Sequence, residues 1–186
     1  IPTVKDVSAR GERYFDLFSK LLGDRVIVIT EAIDDHMMGV IVSQLLYLEA
    51  MDPEEPIHMY ISSPGGSVMA GLAILDTMNL INAPVHTYAM GLVASMAAVL
   101  FTCGENGHRY MLPNAEVMIH QPLGGYSGQA SDIEIHTKHI LNLKRRLYVI
   151  LANATGKSAK VIEKESDRDN YMEAHEAIAF GLADTI

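Results

Sequence analysis

The chain has 186 residues, 49% of them apolar, a single cysteine and a formal charge of −9. That length fills one good core or two small ones, and a single domain over residues 1–186 is expected. The acidic balance argues against a phosphate-backbone partner, so no nucleic acid is expected, and lone Cys103 excludes an internal disulfide framework and suits a reducing compartment.

Apolar runs are broken by Gly, Pro, Asp or His before they reach bilayer length, so no membrane partner is expected. No linker, low-complexity tract or charged-then-apolar N-terminal signal is read. Eleven methionines with only 6% aromatics exceed what a lone domain of this size needs, and part of that apolar content is expected in subunit interfaces.

In chain order, Ile1 to Arg10 reads as loosely structured, and the spacing from Tyr14 to Leu22 predicts a short amphipathic helix ended by Gly23. "RVIVIT" is a buried strand. Asp34 caps a helix to about Glu49, with Met37, Ile41, Leu45 and Leu48 on one face and Pro53 and Pro56 beyond it. "IHMYI" is a strand, "SSPGGS" a glycine turn and "VMAGLAILDTMNLIN" a helix ending before Pro84. The unit repeats as strand "VHTYAM", turn Gly91-Leu92-Val93 and helix "SMAAVLFTC". Strands "HRYML" and "VMIH" follow. "SDIEIHTKHILNLKRRLYVILANAT" is the longest helical pattern, capped by Ser131 or Asp132 and ended by Gly156. "SAKVIEKES" and "EAHEAIAF" are shorter helices, and "LADTI" is a closing strand. Alternating strands and helices predict an α/β fold with a largely parallel sheet. Sites in such sheets lie beyond the C-terminal ends of strands, where the 62–67 and 91–95 turns fall.

Ser95, just ahead of a helical run, reads first as an N-cap. It does not sit in a G-x-S-x-G elbow, because Val93 and Ala97 occupy the glycine positions. Gly65 and Gly66, however, end a neighbouring strand and let backbone N–H groups approach a substrate; with the Met96 N–H they can form an oxyanion hole. Pro64-Gly65-Gly66 alone reads equally as a tight turn. His120 lies at a strand terminus, where a neighbouring nucleophile would make it a general base. An acid to orient it is available in Asp167-Arg168-Asp169, and spacing does not choose between the two aspartates. His36, His58, His86, His108, His136, His139 and His175 show no convergent geometry. His136 and His139 share a helix face but lack a third ligand, so no metal is expected.

Over Arg10 to Ile186, "RGERYFDLFSKLL", "YISSPGGSVMAGLAILDTM", "ASM", "LPNAEVMIHQPLGGYSGQASDIEI" and "DRDNYMEAHEAIAFGLAD" resemble, in order, the proteolytic subunit of the ATP-dependent Clp (caseinolytic) protease. The resemblance implies a crotonase-like spiral of repeated ββα/βαβ units with a protruding helix-strand handle over 121–155 and an N-terminal axial segment over 1–13. It implies Ser95 as nucleophile, His120 as base, Asp169 as the orienting acid, and the Gly66 and Met96 N–H groups as oxyanion donors. It further implies a serine endopeptidase acting on unfolded polypeptides inside two stacked seven-subunit rings fed by a hexameric AAA+ unfoldase. ATP is then the partner's, with no cofactor in this chain, and the location is bacterial cytoplasm or an organellar matrix or stroma.

By the same resemblance Gln129, Asp132, Asp167 and Arg168 lie at ring-ring contacts, and Tyr60, Leu80, Tyr88, Tyr110 and Leu112 in an unfoldase-docking cleft. The docking residues read equally as strand core. Leu92, Val93 and Ala97 depart from the family's usual smaller residues. They raise the alternative of a weakly active or latent ring subunit needing a second subunit type; an acyl-CoA enzyme of the crotonase type is the other function class considered.

Overall fold

A computed structural model describes residues 2–8 and 11–186; Ile1, Ala9 and Arg10, part of the expected N-terminal loose segment, lie outside the described residues. The elements in chain order are β1 (Thr3–Ser8), β2 (Gly11–Asp16), α1 (Leu17–Gly23), β3 (Val26–Ile29), α2 (Asp35–Met51), β4 (Ile57–Ser63), α3 (Val68–Leu80) and β5 (Val85–Ala94). They continue with α4 (Met96–Thr102), β6 (Arg109–Met111), β7 (Glu116–Ile119), α5 (Ala130–Thr155), α6 (Ala159–Glu165), β8 (Asn170–Glu173) and α7 (Ala174–Phe180).

The main sheet runs β3-β4-β5-β7-β8, with β6 also on β5. All its pairings are parallel except β7 with β8. The long β5 lies against β4 on one edge; its other edge meets β6 at Thr87 to Ala89 and β7 at Leu92 to Ala94. Period-two burial sorts the sheet faces. Ile57, Met59, Ile61, Val85 and Ala89 enter one core with α2, α3 and α4, while His58, Tyr60, His86 and Tyr88 remain half-buried on the opposite face. The α4 helix is buried all round, as its almost wholly apolar sequence requires, whereas α3 buries seven of its residues and leaves Met69, Asp76, Asn79 and Leu80 exposed.

Local signals explain the boundaries. The Asp34 carboxylate accepts the Met37 N–H at 2.7 Å, the cap that starts α2. Ser67 caps α3 and Ser158 caps α6 in the same way. Arg109, 5% exposed, joins distant chain segments: its guanidinium donates to Asp184 and to the carbonyls of Thr102, Ala154 and Gly181.

Several sequence expectations need correction. Thr3–Ser8 and Gly11–Asp16 form an antiparallel hairpin. Tyr14 and Phe15 therefore lie in a strand, and the helix expected from Tyr14 starts at Leu17, where Asp16 accepts the Ser19 N–H. Gly91-Leu92-Val93 is no turn but the continuation of β5, with Gly91 at φ +53° and a register shift opposite Ile61 to Ser63. Neither Ser131 nor Asp132 caps α5; Gln129 takes the N-cap position without a side-chain bond. A short strand, β8, precedes α7, and "LADTI" contributes a single bridge, Tyr110 with Thr185, while the Asp184 side chain bonds Arg109.

The expected handle is a helix without its strand. Residues 121–129 carry no strand. They run along α5, with Tyr126 stacked on His136 at 3.8 Å. The α5 helix, about 39 Å long, buries side chains only in its C-terminal half, at Leu147, Tyr148 and Leu151. Gln129 and Asp132 sit at its exposed end.

Candidate active site

Ser95 occupies the junction between β5 and α4 with φ +56° and ψ −124°. This region is unfavourable for a residue with a Cβ and persists where surrounding bonds enforce it. Here the Ser95 N–H donates to the Met118 carbonyl at 2.9 Å, fixing the turn to β7. Ser95 is thus at the cap position of α4, yet its side chain makes no cap bond. Its Oγ lies 2.8 Å from His120 Nε2 instead.

His120 follows the last residue of β7, and its side chain is 14% exposed. Its Nδ1 lies 2.9 Å from Asp169 Oδ1, in the turn before β8. The antiparallel pairing of β7 and β8 ends at Ile119 opposite Asn170, which brings His120 and Asp169 side by side. Geometry therefore separates the two aspartates: Asp169 meets the imidazole, whereas the Asp167 carbonyl accepts from Gln121 Nε2 at 2.7 Å. With the acid at Nδ1, the neutral ring carries its proton there and leaves Nε2 free to accept from Ser95.

The Pro64-Gly65-Gly66 segment lies against the turn at Ser95. Gly65 has φ +89°, and a Cβ there would stand 2.6 Å from the Ala94 carbonyl oxygen and 2.9 Å from the Met96 nitrogen. Gly66, at φ +148°, bridges Ile33: the Ile33 N–H donates to Gly65 O at 2.8 Å and the Ser67 N–H to Ile33 O at 2.7 Å. That pattern leaves the Gly66 N–H unused. Like the Met96 N–H at the start of α4, it donates to no acceptor among the described residues. Two free backbone donors beside a hydroxyl are what a developing oxyanion requires.

A cavity of about 20 Å³ opens beside Ser95 and His120, walled by Val68, Met96, Val99, Leu147 and Leu151 and closed by buried Tyr148. The Tyr148 hydroxyl has no hydrogen-bond partner among the described residues, and burial, with Glu163 and Asp167 nearby, pushes its ionisation up. Burial pushes the Cys103 thiol up to about 12, against the opposing charge of Arg109, so the thiolate form is disfavoured. Among the described residues, no group of three or more His, Cys, Asp or Glu is placed to hold a metal, and no helix is long and apolar enough to cross a membrane.

Tyr60, Tyr88 and Tyr110 stack across three strands at 4.4 and 4.9 Å, and Leu80 is exposed at the C-terminal end of α3. Leu112 is exposed just beyond β6. Asp167 and Arg168 face solvent, their charged atoms 4.0 Å apart. Sequence reading overlooked the histidine row beside the tyrosines. Parallel register brings His58, His86 and His108 together, with His86 and His108 stacked at 4.0 Å and the Nδ1 atoms of His58 and His108 bonded to Tyr88 and Tyr110. Their separation along the chain carries no local signal of this. Gln121 and Lys144 were also missed; only the family-specific spacing around His120 could have drawn attention to Gln121.

The Ser95 turn, the glycine segment and the His120 strand end fall within one continuous family match. A model described as Clp protease matches residues 9–186, across all of these features. The chain therefore belongs to the Clp protease family, a family of peptidases.

Proposed function

We propose that the chain is a serine endopeptidase with Ser95 as nucleophile, His120 as general base and Asp169 as the acid that orients it. The observation that carries the proposal is the unbroken relay of Ser95 Oγ to His120 Nε2 at 2.8 Å and His120 Nδ1 to Asp169 Oδ1 at 2.9 Å. His120 takes the Ser95 proton as Oγ attacks a peptide carbonyl, Asp169 stabilises the imidazolium, and the proton passes to the leaving amine. The Gly66 and Met96 N–H groups receive the oxyanion. Water, activated by the same imidazole, then releases the acyl group. Attack needs neutral His120, so hydrolysis falls on acidification.

The aligned relay favours an active subunit over a latent one. Of the unusual residues, Val93 and Ala97 are fully buried in β5 and α4 and Leu92 is exposed, and none of the three lines the cavity beside Ser95. Two stacked seven-subunit rings, fed with unfolded polypeptide by a hexameric ATP-hydrolysing AAA+ unfoldase, complete the proposal. Large apolar side chains left exposed on the single chain support burial in an assembly: Leu123 is 84% exposed, Leu80 75% and Ile135 63%. The test is hydrolysis of a short fluorogenic peptide by wild type and Ser95→Ala at equal assembly. The proposal expects a loss of about 10⁶-fold in turnover, and near-normal hydrolysis by Ser95→Ala would overturn it.

A further inference from the structure

We infer that the groove between α5 and α6 is an extended substrate subsite of the Ser95 centre, and that its cations, Lys144, Arg145 and Lys160, select polypeptide segments with an acidic side chain near the bond that is cut. The inference rests on the serine-peptidase reading above and deepens it by naming a class of substrate.

The cavity beside Ser95 is too small to hold much of a polypeptide. At about 20 Å³ it admits a water molecule or the tip of one side chain, so the rest of a substrate lies against neighbouring surface. The groove between α5 and α6 has the room, at about 830 Å³. Lys144, Arg145 and Tyr148 of α5 wall it on one side, and Lys160 and Glu163 of α6 on the other. Tyr148 is also a wall of the Ser95 cavity, so the two spaces meet across one side chain. Cavities of about 310, 320 and 400 Å³ elsewhere on the molecule share no wall residue with the Ser95 cavity.

The groove is cationic on a chain whose formal charge is −9. Helical spacing groups its residues: positions 141, 144, 145 and 148 share one face of α5, and 160 and 163 one face of α6. Other cations of the fold are met by carboxylates, Arg109 by Asp184, Lys138 by Glu134, Arg146 by Asp76 and Lys164 by Glu165. Those of the groove are not. Lys144 Nζ donates to the neutral amide of Gln121 at 3.0 Å and Arg145 to the amide oxygen of Asn142. Lys160 has no hydrogen-bond or ion-pair partner among the described residues, and Glu163, the one carboxylate in the wall, pairs with none of the three. A carboxylate brought in by a substrate thus meets cations that no acid of the chain neutralises. Leu141 and Val149, each 51% exposed in the same groove, give the flanking substrate residues apolar surface.

The test uses internally quenched peptides, neutral except for a single Glu placed in turn at successive positions on both sides of the cleaved bond, each beside its Gln counterpart, with cleavage sites read by mass spectrometry. Values of kcat and KM are measured for wild type, Lys160→Gln, Lys160→Glu and Arg145→Gln, with assembly checked by sedimentation. The ratio of kcat/KM for a Glu peptide to that for its Gln counterpart cancels changes common to both. One exposed ion pair is worth about 1.4- to 5-fold in an equilibrium constant, so wild type should favour Glu by about 3- to 10-fold at one or two adjacent positions, through a lower KM. Screening should bring that preference below about 2-fold between about 0.05 and 0.5 M salt. Lys160→Gln and Arg145→Gln should each reduce it, and Lys160→Glu should abolish it. Ratios near one at every position in wild type, or a preference that survives Lys160→Glu, would overturn the subsite. Loss of assembly in Lys160→Glu would assign the groove to a second copy of the chain and overturn it as well. Failure of assembled wild type to cleave any of the peptides would instead remove the peptidase reading itself, so the two failures are separable.

Discussion

Replacing Gly65 by alanine puts a Cβ into the narrowest approach in the site. At φ +89° the new atom would lie 2.6 Å from Ala94 O, 2.7 Å from Ser95 Cβ and 2.9 Å from Met96 N. All three belong to the backbone and Cβ of the Ser95 turn, so no flexible side-chain end can move aside. Gly107→Ala is the matched control: its φ is +84°, yet its Cβ would meet nothing within 4 Å. Left-handed backbone costs an alanine about 1–2 kcal/mol, and reduced unfolded-state freedom returns about 0.4–1 kcal/mol. Gly107→Ala should therefore lose about 1 kcal/mol of stability and keep its activity. Gly65→Ala carries the same backbone cost and must also push the Gly65–Gly66 segment away from Ser95 and Met96. If Gly66 and Met96 supply the oxyanion donors, one is withdrawn, and turnover should fall about 10²–10³-fold. Peptide hydrolysis and thermal unfolding of both variants decide the matter. Equal activity of Gly65→Ala and Gly107→Ala would refute the placement of the oxyanion donors.

Arg109→Met leaves Asp184 and three carbonyls without their shared donor. Breaking such a buried pair costs about 3–5 kcal/mol, and the unfolding midpoint should drop by about 6–20 °C; a change of a degree or two would show that the staple is dispensable. The His58 and His86 rings are held below the usual imidazole range, first by burial and then by neighbouring charge: Arg25 for His58, His108 for His86. A lowered folded-state value means that the stability is present above the unfolded imidazole pKa, about 6.5, and is lost as pH falls through the lowered folded values. His86→Phe should flatten the pH dependence of stability in that acid window, measured by denaturant midpoints from pH 7 downward, and an unchanged slope would contradict this.

The apolar periods of α2, α3 and α4 were readable because a helix buried on one or all sides writes its spacing directly into the chain, and Asp34 before Met37 marked a true cap. The hairpin was not readable. Tyr14, Phe15, Leu17 and Phe18 fit a helical period as well as a strand followed by a helix, and β2 pairs only with β1, outside the main core. β8 spans only Asn170–Glu173 and exists by virtue of its partner β7. Ser95 as a cap failed for a chemical reason: the Oγ that would bond the helix N-terminus is engaged by His120, and the residue's φ lies outside the extended range a cap adopts. The choice between Asp167 and Asp169 needed the register of β7 with β8, which no local pattern contains. Gln121 and Lys144 meet across 23 residues through folding alone.

The most direct measurement is intact mass after incubation of the assembled protein with a fluorophosphonate, for wild type beside Ser95→Ala. An activated serine hydroxyl attacks phosphorus and displaces fluoride, so the account predicts one phosphonyl adduct per wild-type chain and none on Ser95→Ala. An unmodified wild-type chain in an assembled ring, or an adduct that persists on Ser95→Ala, would contradict it.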